Sequence, residues 1–218
     1  MALLYPEPRG GYGTAQYNGH VHTWIGYKDK TWNSRFPCGG FSPGPVTHLK
    51  AGQVVPVRFA ASSMSASDMK TQPRPTSRRH RFSQARHGGG TCEFSLSYDG
   101  GKTFHLIGRY TKSCPDAYYE WPVKIPNNVP SCTQKDQKNQ CLFVWSWVAS
   151  ILPQYYHNCV DVTVEGVKGG KLPRKGIHIV DFAGHPQRIR AAGDGAGENM
   201  GKGPNHVEIK ANLHSTWA

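Results

Sequence analysis

Eleven histidines are spread over the 218 residues, and the few with informative neighbours bound the metal and acid-base chemistry open to the chain. His20 and His22 lie two apart, which on a strand would put both rings on one face and suit a metal; exposed loop histidines are the expected state there. His80 sits among Arg78, Arg79 and Arg81, whose charge repels a cation. His87 stands immediately before Gly88-Gly89-Gly90 and shortly before Cys92, which separates it from an ordinary structural histidine. His157, His178, His185, His206 and His214 form no arrangement with a chemical reading. Gly40-Phe41-Ser42-Pro43-Gly44 matches the G-x-S-x-G pattern of serine hydrolases only by accident, because Pro43 has no N–H for an oxyanion hole and no strand-turn-helix context surrounds it. No H-E-x-x-H, P-loop or G-x-G-x-x-G pattern is present, so metallopeptidase, nucleotide-binding and dehydrogenase chemistry have no support.

The six cysteines, Cys38, Cys92, Cys114, Cys132, Cys141 and Cys159, form an even set without C-x-x-C or zinc-finger spacing, which points to disulfides. Cys132 and Cys141 bracket a short polar segment, Thr133 to Gln140, whose flanks can meet. For the rest we join Cys92 to Cys114 and Cys38 to Cys159. The last pair closes a loop of more than a hundred residues, which the chain-entropy model values at about 4–5 kcal/mol. Three disulfides imply an oxidising compartment and a secreted, extracellular or cell-wall protein.

The charge is +12, from 26 Lys and Arg against 14 Asp and Glu. A basic surface attracts nucleic acid, anionic lipid or acidic polysaccharide alike. No apolar run approaches the ~20 residues that a membrane span needs, and no leader with an apolar core precedes Tyr5. No N-x-Ser/Thr acceptor occurs, so N-glycosylation is not expected. Nucleic-acid binding conflicts with the disulfides, and the basic stretch has no interleaved aromatics. A monomer without nucleic-acid or membrane partners is expected.

The elements that would position these groups are strands. With 25 Gly, 16 Pro and few charges, the composition suits short strands joined by turns in a single domain over residues 1–218. Met1 to Gly44 reads as long loops rich in turn formers. Gln53 to Ala60 places Val55, Val57 and Phe59 on one face. Ser62 to Arg86, carrying Lys70, Arg74, Arg78, Arg79, Arg81 and Arg86, reads as a basic surface loop. Cys92, Phe94, Leu96 and Tyr98 alternate with polar residues, then Asp99-Gly100-Gly101 turns the chain into Thr103 to Ile107. Trp121, Val123 and Ile125 alternate next. The nearly continuous apolar run Leu142 to Val148 suits a central sandwich strand, and Val160, Val162 and Val164 mark a final one. Such spacing favours an all-β sandwich. Gly166 to Ala218 is weakly patterned and is expected to wrap the sandwich as loops.

Three segments together bring a family into view: His87-Gly88-Gly89-Gly90-Thr91-Cys92 running on through Phe94 to Phe104, Phe143-Val144-Trp145-Ser146-Trp147, and Tyr156-His157-Asn158-Cys159. With an opening Met1 to Pro8 that looks like a mature N-terminus of that family, the chain to about Val164 resembles the fungal chitin-active, copper-dependent lytic polysaccharide monooxygenases. The resemblance implies an immunoglobulin-like or fibronectin-III-like β-sandwich. It also implies one copper ion in a histidine brace, made of the α-amine and imidazole of an N-terminal histidine plus a second imidazole, here His87. Three nitrogens in a plane match the tetragonal preference of Cu(II), and an α-amine with a pKa near ~8 deprotonates for a metal more readily than a lysine. Tyr156 falls on the axial tyrosine, although a tyrosine near a sandwich cysteine also commonly packs as core. Gln154 occupies a position beside the site where a carboxylate is usual; it can orient an oxygen species but cannot act as a base.

The departure is at position 1, where Met1 offers a thioether in place of a bidentate histidine. In the family a histidine often precedes a Met-x-hydrophobic-x-x-Pro-x-Pro stretch, and Met1, Leu3 or Leu4, Pro6 and Pro8 fit that register if the ligand lies just ahead of Met1. On that expectation Met1 adjoins the missing ligand. The protein is then a polysaccharide monooxygenase with an external electron donor, cleaving chitin or a related cell-wall polysaccharide beside the glycosidic link. Chitin is neutral, so the cations ahead of His87 hint at an acidic or mixed glycan. The alternative is a non-catalytic glycan-binding or cell-wall protein that kept the scaffold and lost the ligand.

Overall fold

A computed structural model of the chain describes residues 2–11, 13–17, 24–25, 35–60, 89–110, 114–115, 120–134, 140–149 and 155–179. These form nine strands: β1 (Ala2–Tyr5), β2 (Trp24–Ile25), β3 (Val46–Lys50), β4 (Val54–Ala60), β5 (Gly90–Ser97), β6 (His105–Tyr110), β7 (Glu120–Lys124), β8 (Leu142–Ala149) and β9 (Tyr155–Glu165). A small sheet has the order β1-β4-β7, and a large one runs β2-β9-β8-β5-β6 with β3 added in parallel along the second half of β9.

The two sheets face each other across one core, as the alternation demands. Val55, Val57 and Phe59 of β4 and Trp121 and Val123 of β7 meet Phe94 and Leu96 of β5, Phe143, Trp145 and Trp147 of β8, and Val160, Val162 and Val164 of β9. Ring contacts cross the gap: Phe59 lies 4.8 Å from Trp145 and Tyr110 4.9 Å from Trp121, centroid to centroid. The expected all-β sandwich is therefore the observed one. β8 is buried along its whole length between β5 and β9, which is why its sequence is apolar at successive positions.

The outer face of the large sheet is covered too. Phe36, Cys38, Phe104, Ile177 and Ile179 pack on Leu142, Val144 and Cys159, and the residues of β9 that point this way alternate with the core set. Asp161, on that outer row, receives Arg9 Nε at 2.8 Å, Arg9 Nη2 at 2.6 Å and the Gly44 N–H at 2.8 Å. All three expected disulfides are present: Cys38–Cys159, Cys92–Cys114 and Cys132–Cys141.

The opening loops need correction. Residues 2–5 form β1, whose Leu3 is buried in the core, and residues 24–25 form β2; Pro6, Pro8 and the glycines that follow hid a strand whose pairing is supplied by β4, far along the chain. The tail behaves as read over 166–179. It has no strand there and is tied down by Val167 N–H to Val129 O, Lys171 N–H to Asn128 O and Leu106 N–H to Lys175 O. The basic segment Ser62 to Arg86 and the tail beyond Ile179 lie outside the described residues.

Candidate functional site

Antiparallel pairing brings the start of β5, the end of β8 and the start of β9 to one end of the large sheet: Gly90 opposes Ala149, Val148 opposes Tyr155, and Trp147 opposes Tyr156. Tyr156 belongs to the inner row of β9. Its ring stacks on Trp147 at 4.7 Å with 29° between planes, and Trp145 lies 6.4 Å away. Only 5% of the residue is exposed, and burial pushes its phenol well above the ordinary tyrosine value. It is a neutral O–H at any physiological pH, suited to a weak, distant metal contact and unsuited to charge neutralisation.

Gly90 fixes how the chain enters β5. It has φ of +143°, and a Cβ there would stand 2.1 Å from Val148 O and 2.8 Å from Trp147 Nε1. Any side chain would collide with backbone, so glycine is required. The same indole that carries Tyr156 on its face therefore carries Gly90 at its edge. His87 is three residues earlier, no more than about 11 Å of extended chain from Gly90.

The first strand arrives at the same sheet. Leu3 N–H donates to Asn158 Oδ1 at 3.0 Å, and Asn158 Nδ2 donates to His157 O at 3.2 Å. Asn158 is two residues from Tyr156 on the inner row of β9. Cys159, whose spacing to Tyr156 drew attention in the sequence, points the other way and bonds Cys38.

Of the expected site residues, Tyr156 is placed by the structure, whereas Met1, His87 and Gln154 lie outside the described residues. Among the described residues no group of three or more His, Cys, Asp or Glu could hold a metal ion. Around Tyr156 the described chain shows two approaches: β1, tied to β9 through Leu3 and Asn158, and the entry into β5 at Gly90, packed on Trp147.

Sequence reasoning gave no role to His157 or His178, and both have structural ones. His157 is fully buried on the outer row, with Phe36 at 4.8 Å and Phe104 at 5.3 Å, and its Nδ1 accepts the Cys38 N–H at 3.4 Å. Burial lowers its pKa to about 3, so the ring is neutral. His178 binds the buried Glu93 twice, through its N–H at 2.6 Å and Nδ1 at 2.9 Å, while Arg109 Nε reaches the same carboxylate at 2.7 Å. Glu93 and Arg109 oppose each other on β5 and β6, a pairing visible in sequence only once the hairpin register is known.

A two-sheet, disulfide-bridged β-sandwich with an aromatic-backed tyrosine at one end is the class that fold and site define. No family model matches the chain. Over 86 residues it is 41% identical to the AA11 family lytic polysaccharide monooxygenase A of Aspergillus fumigatus, a stretch that covers 39% of this chain and 36% of that protein. The chain thus spans little more than a third of the length of that relative. Among solved structures it is similar to a Jonesia denitrificans lytic polysaccharide monooxygenase, with a TM-score of 0.32 and 14% identity over 57% of this chain and 61% of the other. It is also similar to a Bacillus amyloliquefaciens CBM33 in complex with Cu(I), with a TM-score of 0.31 and 12% identity over 55% and 56%.

Proposed function

We propose that the chain is a secreted, copper-dependent lytic polysaccharide monooxygenase that acts oxidatively on chitin or a related cell-wall polysaccharide. The observation that carries this reading is the convergence on Tyr156 of β1, held through Leu3 and Asn158, and of the entry into β5, held by Gly90 against Trp147. The similarity to the Aspergillus fumigatus protein supports it, and three disulfides suit an oxidising compartment.

On this reading His87 would supply one imidazole, a histidine at the mature N-terminus would supply an α-amine and a second imidazole, and Tyr156 would add a weak phenol contact. Copper, when bound and reduced by an external electron donor, would supply the one-electron chemistry with O2 or H2O2 that removes hydrogen from a C–H bond beside the glycosidic link. Trp145 and Trp147 close the inner side of the site and exclude water from it. Gln154 orients the oxidant by hydrogen bonding; its amide takes up no proton, so proton transfer is left to other groups. Lys70, Arg74, Arg78, Arg79, Arg81 and Arg86 precede His87, and their charge favours an acidic or mixed wall glycan over a neutral one.

The second reading, a non-catalytic glycan-binding or cell-wall protein on the same scaffold, is supported by the basic stretch from Lys70 to Arg86, whose charge suits adhesion to a wall glycan. The natural mature protein, titrated with Cu(II) and followed by paramagnetic resonance, decides between them. A tight type-2 signal that His87→Ala abolishes supports the enzyme; its absence leaves the binding protein. Sequence upstream of Met1 should encode a leader ending at a histidine, and an in-frame stop there would refute that register.

A further inference from the structure

Asn158 is a polar side chain on an apolar face. It sits on β9 between Tyr156 and Val160, opposite Trp145 of β8, and is 2% exposed. A leucine would fill such a place without burying a carboxamide, which is unfavourable unless its polar ends find partners. Both ends do: Oδ1 accepts Leu3 N–H at 3.0 Å and Nδ2 donates to His157 O at 3.2 Å. A backbone N–H only donates, so it fixes which end of the amide faces β1.

The Leu3 bond joins the two sheets. β1 is an edge strand of the small sheet, four residues long, and its ladder to β4 slips register between Leu3 and Tyr5. That ladder sets β1 against β4 but does little to set it against β9. Asn158 does so, and at one particular place: it is two positions along the same row from Tyr156, about 7 Å of strand, and it grips the chain one residue after Ala2.

We infer that Asn158 is a positioning residue, whose carboxamide sets the first strand over β9 and thereby the approach of the mature N-terminus to Tyr156. The functional consequence rests on the copper reading above, whereas the mechanical part stands on the hydrogen bond itself. A residue that merely filled the core would be replaceable by any apolar group of similar volume. A positioning residue would be replaceable only by another acceptor of the same length, which is aspartic acid in its protonated form, whose O–H can take over the bond to His157 O.

The test compares the natural mature protein with Asn158→Leu, Asn158→Ala and Asn158→Asp, reading two independent quantities. Amide hydrogen exchange at Leu3 should speed up by at least about tenfold in the leucine and alanine variants, while the β5 and β8 amides keep their protection. Cu(II) affinity should fall by about 10- to 100-fold, as it does when groups that orient metal ligands are removed, with a changed paramagnetic spectrum. Asn158→Asp, followed with pH, should restore both where its buried carboxyl is protonated. Leu3 exchange unchanged in both apolar variants overturns the inference, as does a wild-type copper spectrum and affinity in Asn158→Leu, or failure of the protonated aspartic acid to rescue a folded protein. If the alanine variant does not fold, Asn158→Leu, which leaves no cavity, carries the comparison. If the wild-type protein itself gives no type-2 signal, the copper reading fails, and Leu3 exchange still decides the positioning of β1.

Discussion

The two faces of the large sheet are built from the same strands and obey opposite rules. Inward, Phe143, Trp145, Trp147, Tyr156, Val160 and Val162 make an almost wholly apolar layer, with Asn158 as its polar exception. Outward, the same strands carry Glu93, His157, Cys159 and Asp161, all at most 2% exposed, each tied by charge, hydrogen bond or disulfide to a loop. The inner face is held by shape and the outer face by specific partners. Substitutions on the inner face should therefore be graded by volume, and those on the outer face by which partner is left behind.

The largest effect should come from the disulfide that fastens the outer cover. Cys38–Cys159 spans 121 residues, so replacing both cysteines by alanine should lower stability by about 4–5 kcal/mol, read by denaturant unfolding of the copper-free protein. A loss below about 1 kcal/mol would mean that the cover is held by its other contacts alone.

Next is the buried charge cluster. Arg109 is fully buried against Glu93, and Arg109→Met leaves the carboxylate to its hydrogen bonds with His178, at an expected cost of about 3–5 kcal/mol. Adding Glu93→Gln should recover part of that loss, because the cost is that of a stranded charge. If the double variant is as unstable as the sum of the two singles, the pair is not coupled.

How far the sequence discloses this asymmetry can be seen strand by strand. β4 and β7 were legible because alternation at period 2 marks their core face, and β5 because its outer row, though buried, is polar. β8 was legible for the opposite reason, as an apolar run interrupted only at Ser146, the pattern of a strand covered on both faces. β3 escaped because Leu49 is its one buried residue, and its existence depends on β9, more than a hundred residues away. The resemblance pointed to Tyr156 but gave Asn158 no work, since the reason for that amide is a backbone N–H 155 residues earlier. Glu93, Arg109 and His178 could not be grouped before the β5–β6 register and the path of residues 166–179 were known.

The third prediction uses His157, whose pKa in the folded protein is lowered to about 3 by burial, against about 6.5 when unfolded. The unfolded chain then binds a proton that the folded one refuses. Stability is unaffected above the unfolded value and is lost as pH falls from about 6.5 towards about 3, by up to about tenfold in the folding constant per unit. His157→Phe, set among Phe36, Phe104 and Tyr155, removes this slope while stranding the Cys38 N–H, at about 1–3 kcal/mol. It should be the less stable protein at pH 7 and lose less on acidification. Parallel unfolding curves from pH 7 to pH 4 would show that His157 is not the residue responsible.

The smallest effect belongs to the residue at the centre of the functional reading. Tyr156→Phe removes one oxygen and keeps the ring on Trp147, so an inner face governed by shape should register a change of no more than about 1 kcal/mol. On the copper reading, affinity should also stay close to wild type, because two imidazoles and an amine would dominate binding, while the paramagnetic spectrum should shift with the lost phenol oxygen. That combination separates the two roles open to Tyr156. A core tyrosine would leave the spectrum unmoved, and a principal ligand would take the affinity with it. A spectral shift at nearly constant affinity and stability is what a phenol that meets the metal only weakly, backed by indole and held neutral by burial, would produce.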